Sequence, residues 1–173
     1  MIFSDTTIRE RQASDGMLDP FVEANVQPAS VDLTLGNDFI LFDERLTPDE
    51  GEPVLLERHR FALATTAETV KVPVDVAAQV AGKSSWARRG LLIHVTAGWI
   101  DPGFEGQITL ELKNLGDHAL ALYPGTPICQ IYFMGLTVPA AVPYGSEQLG
   151  SHYQGQTGTT RAWHDPHVDM EGA

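Results

Sequence analysis

Apolar residues in this chain come in short runs, several of them alternating with polar residues, and glycine or proline closes most of them. Such a pattern admits little helix and many short strands. Val31, Leu33 and Leu35 alternate with Asp32 and Thr34, so a half-buried strand is expected at 31–35, ended by Gly36. Residues 39–42, 54–56, 61–66, 90–93, 108–112, 119–123 and 128–133 read as further strands. Pro73 makes 70–76 an edge strand or a turn, because proline cannot donate to a ladder. Only 5–14 has helical spacing, with Ser4 or Asp5 available to cap it. The expected fold class is all-β, a sandwich or barrel with one or two short helices. Residues 1–173 are expected to form one domain, with a mobile tail or lid from about 147, where the chain turns polar and glycine-rich.

At 173 residues the chain can bury roughly 70% of the surface its unfolded form exposes, so it needs no covalent staple. Its one cysteine, Cys129, excludes an intrachain disulfide framework and a multi-cysteine zinc site, and points to a reducing, cytoplasmic compartment. The charged N-terminus lacks the apolar core of a signal peptide, and no stretch approaches the roughly 18 apolar residues that would span a membrane. No membrane partner is expected. A formal net charge of −12 argues against nucleic acid as a partner, since sequence-independent binding needs a basic surface. Cations are nevertheless gathered at Lys83, Arg88 and Arg89, where a small anion can be held.

These cations lie in GKSSWARRGLLIHVTAGWIDPGFEGQITLELKN, residues 82–114. Gly82 allows close backbone approach, and Lys83, Ser84, Ser85 and Arg88 supply ammonium, hydroxyl and guanidinium donors suited to phosphate. A solvated turn with surface cations has the same composition. A short helix over 85–89 would add backbone amides. His94 sits among apolar residues, as a hydrogen-bonded core histidine does. Asp101, before Pro102 and Gly103, either shapes a turn through its side chain or contacts a sugar hydroxyl or water. Alternation puts Glu111 on the side of Thr109, opposite Leu110 and Leu112, as an exposed glutamate or as a proton shuttle in a cleft. Zinc deaminases need a PCxxC pair beside another ligand, which one cysteine cannot supply.

The run 82–112 resembles the dCTP deaminases, a branch of the trimeric dUTPase superfamily. QPASVDLTLG at 27–36 is similar to the family's N-terminal block. PYG at 143–145 and YQGQ at 153–156 are similar to the segment that covers the nucleotide. The resemblance implies a distorted jelly roll of the dUTPase-like, β-clip kind, assembled as a homotrimer with active sites between subunits. It implies zinc-independent hydrolytic deamination of dCTP, with Mg²⁺ accompanying the triphosphate rather than held by protein ligands, and dTTP as an inhibitor. By matching positions, Glu111 exchanges protons with the attacking water, and Ser84 and the Ala97 carbonyl position that water. Lys83, Ser84, Ser85 and Arg88 contact phosphates within a segment that includes Trp86 and Ala87. Asp101 lies by the sugar, Thr109 and Leu110 line the base pocket, and Gln130, Tyr144, His152 and Gln156 complete the site.

Family members that also cleave the triphosphate, giving dUMP and diphosphate, carry glycine and an aromatic after the VTA triplet. Gly98 and Trp99 stand there in this chain, and Lys83 also resembles that group. The dUMP-forming type is therefore expected, with Asp101 orienting a second water. A dCTP deaminase releasing dUTP, and a dUTPase without deamination, are the alternatives. His152 replaces a lysine of the family pattern, which removes a charge from the phosphate side at neutral pH. Arg58, His59 and Arg60 stand where the family usually has a Pro-Gly turn, and Gly158, Thr159 and Thr160 where it has Gly-Pro-Thr.

Overall fold

The computed structural model describes residues 1–163; the expectation of a domain and tail reaching 173 falls partly outside the described residues. The chain opens with α1 (Asp5–Asp15), one residue longer than expected. Ser4 caps it by accepting from the Thr7 amide, and Gly16 ends it in the left-handed conformation at φ 62°. Ile8 is the only residue of this helix that is buried. Short strands β1 (Leu18–Asp19) and β2 (Val26–Gln27) lead to the long β3 (Ser30–Leu41). There follow β4 (Glu44–Leu46), β5 (Val54–Leu56), β6 (Phe61–Lys71) and β7 (Val76–Gly82). A single helical turn, α2 (Ser84–Ala87), precedes β8 (Leu91–Leu92), β9 (Trp99–Ile100), β10 (Glu105–Asn114), β11 (Leu120–Leu122) and β12 (Pro127–Gly135).

All the strand pairs are antiparallel, in the order β8-β10-β6-β3-β12-β7-β9, with β5 and β11 paired separately. The sheet curls into a distorted jelly roll because β3 serves two halves. Its first part, Val31 to Thr34, pairs with β12, and its second part, from Leu35 on, pairs with β6. Leu33, Leu35, Phe39, Leu110, Leu112, Ile128, Ile131 and Phe133 are fully buried between the halves. Each such side chain contributes about 1.5–3 kcal/mol relative to exposure.

Several expected boundaries move. Gly36 does not end a strand: β3 runs through it, and a Cβ there would lie 2.6 Å from Thr65 Cγ2 and 3.0 Å from the Thr65 carbonyl oxygen. The glycine thus permits β3 to close on β6 where it changes partners. The expected strands at 31–35 and 39–42 are one element for the same reason. β6 continues to Lys71, and Pro73 sits in the turn to β7, whose Val76 amide donates to the Pro73 carbonyl at 3.0 Å. β7 itself, VAAQVAG, lacks strict alternation, and its two valines stand among small alanines and a glycine, so it gives no clear strand signal. The predicted strand at 90–93 shrinks to Leu91–Leu92. No helix among the described residues is long and apolar enough to cross a membrane.

Candidate functional site

A cleft of about 610 Å³ opens beside β10. Thr109 and Glu111 reach it from β10, while Leu110 and Leu112 point into the core at 1% and 0% exposure. The register of β10 against β6 shifts between Gln107 and Thr109, a bulge secured by the Ile108 amide donating to Thr66 Oγ1 at 3.0 Å. Bulges re-aim the residues that follow them. Phe61, Leu63, Ile100, Phe104 and Ile108 form apolar walls, and exposed Ala97, Trp99 and Asp101 form the rim, where Asp101 brings the charge.

Glu111 is half-buried, and its Oε2 accepts the Val95 amide at 2.7 Å. One carboxylate oxygen is thereby fixed, which orients the other without a cationic partner. The Glu111 amide donates to the Ile93 carbonyl at 3.1 Å, so the stretch leading to Ala97 is tied to β10 at two points. Asp101 closes its turn through its main-chain carbonyl, which accepts the Phe104 amide at 3.2 Å. Its carboxylate instead accepts the Trp99 indole Nε1–H at 2.9 Å. Of the two readings of Asp101, the side chain is thus not spent on the turn.

His94 departs from the hydrogen-bonded core histidine expected: it is half-buried, and its buried Nδ1 has no hydrogen-bond partner among the described residues. Its Nε2 lies against Gly98, where a Cβ would stand 3.0 Å from that nitrogen and 3.0 Å from the Val80 carbonyl oxygen. Gly98 is therefore a close-approach glycine between β7 and the histidine ring.

The far side of the cleft is built from the tail. The Tyr153 amide donates to Tyr144 Oη at 3.1 Å, and Tyr144 packs on Phe104 with ring centroids 5.8 Å apart. Gln156 donates through Nε2 to the Gln107 carbonyl at 2.6 Å, while its Oε1 is buried at the cleft wall with no partner among the described residues. Thr159 is 1% exposed, donating its amide and hydroxyl to Asp38. Arg161 pairs with Asp43. Sequence reading found few anchors here because these are single polar contacts to distant strands. His152 is exposed and stacks on Trp163, with centroids 4.1 Å apart and planes at 12°.

The anion-binding candidates stand elsewhere. Lys83, Ser84, Ser85, Arg88 and Gln130 do not line this cleft. The helix is a single turn, Ser84–Ala87, with Ser84, Ser85, Ala87 and Arg88 exposed around it. The Trp86 side chain is turned inward, 8% exposed, and donates from Nε1 to the Pro127 carbonyl at 3.0 Å. It anchors the turn, so what Trp86 offers a ligand is its backbone; Leu110 is likewise buried. Lys83 pairs with Asp32, and Gln130 donates to the Gly82 carbonyl at 3.2 Å. Asp32 went unmarked in the sequence: alternation placed it on a polar face, yet it is 8% exposed. Among the described residues, no cluster of three His, Cys, Asp or Glu is arranged to hold a metal ion.

A protein-family model described as dCTP deaminase-like matches residues 2–136. The chain is 45% identical over 178 residues to the dUMP-forming dCTP deaminase of Mycolicibacterium gilvum, covering 92% of this chain and 94% of that one. Among solved structures, the 2′-deoxycytidine 5′-triphosphate deaminase from Agrobacterium tumefaciens superposes with a TM-score of 0.64 at 24% identity. That match covers 76% of this chain and 47% of the other, so this chain spans about half its length. The EIAV dUTPase matches with a TM-score of 0.50 at 24% identity, covering 70% of this chain and 87% of that one.

Proposed function

The chain belongs to the dCTP deaminase-like family, and from that premise we propose that it converts dCTP to dUMP, ammonia and diphosphate. The first step adds water to C4 of the cytosine ring. Glu111 takes a proton from that water, and protons pass to the ring nitrogen and to the departing amino group, which leaves as ammonia. The second step adds water across the triphosphate, releasing diphosphate from dUMP. The observation that carries this reading is the Glu111 carboxylate, held by the Val95 amide at the edge of an apolar-walled cleft with room for a base and sugar.

In this reading the exposed Ala97 carbonyl and the Ser84 hydroxyl hold the first water. Thr109 and the backbone at Leu110 border the base, Asp101 the sugar, and Tyr144 and Gln156 close the nucleotide in. Phosphates fall to Lys83, Ser84, Ser85 and Arg88. Because those four do not line the cleft that holds Glu111, one copy presents a base side and a phosphate side apart. Such a division is what a site shared between neighbouring copies requires, and it supports assembly as a homotrimer. Mg²⁺ carried on the triphosphate would offset charge developing on the phosphates. Exposed Asp101, freed from its turn and pinned by Trp99, suits orientation of the second water. The Gly98–Trp99 pair favours dUMP over dUTP as product, and dTTP is the expected inhibitor, being a product-side nucleotide of the same size.

Glu111→Gln tests the assignment of the base. Ammonia release from dCTP is expected to fall roughly 10²–10⁴-fold, as for loss of a general acid–base group. Unchanged ammonia release in that variant would remove Glu111 from the chemistry.

A further inference from the structure

On the outward face of β3, Ser30, Asp32 and Thr34 form a polar row, and each has its own partner on another element. Ser30 Oγ donates to Gln130 Oε1 at 3.0 Å, and Gln130 passes the contact to the Gly82 carbonyl at 3.2 Å. Asp32 pairs with the Lys83 ammonium. Thr34 donates its amide and hydroxyl to Glu68, at 3.0 Å to Oε2 and 2.8 Å to Oε1. Glu68 is thus occupied by Thr34, and burial pushes its carboxyl above the usual range. Asp32, in contrast, holds the lysine. Two of the three links in the row converge on consecutive residues, Gly82 and Lys83, where β7 ends and α2 begins.

A largely buried ion pair contributes little net stability, because desolvation offsets attraction. Asp32 and Lys83 side chains are 11% and 24% exposed, so a packing role alone does not account for charge at this place. An ammonium has three donors and one carboxylate need not use them all. Lys83 therefore keeps capacity for a second acceptor beside the exposed Ser84, Ser85 and Arg88. We propose that Asp32 is a positioning residue for polyphosphate: it holds Lys83 in the conformation that adds its ammonium to the α2 turn. The Ser30–Gln130 link fixes the Gly82 backbone from which that turn starts. The inference rests on reading 83–88 as the phosphate-contacting turn.

The test uses dissociation constants for dCTP and dCMP, measured calorimetrically in a Glu111→Gln background so that nucleotide stays intact. Asp32→Asn is expected to weaken dCTP about tenfold and dCMP less than about twofold, the size of one lost charge-assisted contact. Lys83→Gln is expected to do the same, and the double variant to be no weaker than Lys83→Gln alone, since both remove one interaction. Asp32→Glu, which keeps the carboxylate, is expected to recover part of the loss. Should Asp32→Asn fold poorly, Ser30→Ala loosens Gly82 while leaving the ion pair, and a selective loss of dCTP is again expected. Equal weakening of dCTP and dCMP, additive effects of the two substitutions, or a neutral Lys83→Gln would each overturn the proposal. Absence of ammonia release by the protein with Glu111 intact would instead overturn the reaction and leave this comparison readable.

Discussion

Glu111 and Asp101 are both carboxylates at one cleft, and they differ in their hydrogen-bond partners. Glu111 takes a main-chain amide and is half-buried in the cleft; Asp101 takes an indole N–H and is exposed at its edge. If the rim carboxylate serves the second hydrolysis, Asp101→Asn is expected to lower diphosphate release about tenfold more than ammonia release, a small share of a typical acid–base contribution. Both products measured on the same samples decide it, and equal loss of both would leave Asp101 without a separate role. Although the role of Glu111 came only from the family resemblance, the side of β10 that it shares with Thr109 was legible in the sequence, because strand alternation fixes it. Asp32 was not, since alternation says which residues share a face and not what covers that face. Trp86 entered the expected ligand segment through the family resemblance alone, and a linear motif does not show that its side chain is buried and bonded to the Pro127 carbonyl.

At the scale of elements, the jelly roll depends on β3 changing partners, and Gly36 is where it does so. Gly36→Ala places a methyl 2.6 Å from Thr65 Cγ2, with backbone oxygens at 3.0 and 3.1 Å. The expected cost is about 1–3 kcal/mol in unfolding free energy, as for other overpacked sites. Denaturant titration measures it, and adding Thr65→Ser, which removes Cγ2, is expected to return part of the loss. A neutral Gly36→Ala would mean that β3 has slack at the switch. The strands with bulky alternating residues were legible; β7 was not, because small alanines fill a crowded layer and carry no period. The tail was legible only as polar, since its order comes from contacts such as Thr159 with Asp38 that span more than a hundred residues of sequence.

In the whole molecule, the cleft that holds Glu111 is lined from both halves of the roll, by β6 and β10 and by Trp99 and Ile100 of β9, and the cationic turn at the end of β7 stands outside it. The family membership could be read from the long central run, while the division between the two sides could not, because a linear motif does not say which of its residues one copy brings together. The proposed function requires two hydrolyses on one nucleotide from this scaffold. Its most direct test is the stoichiometry of products when the protein is incubated with dCTP and Mg²⁺. Ammonia, diphosphate and dUMP are expected in equal amounts, with no accumulation of dUTP. Intact dCTP, or ammonia with dUTP and no diphosphate, would contradict it.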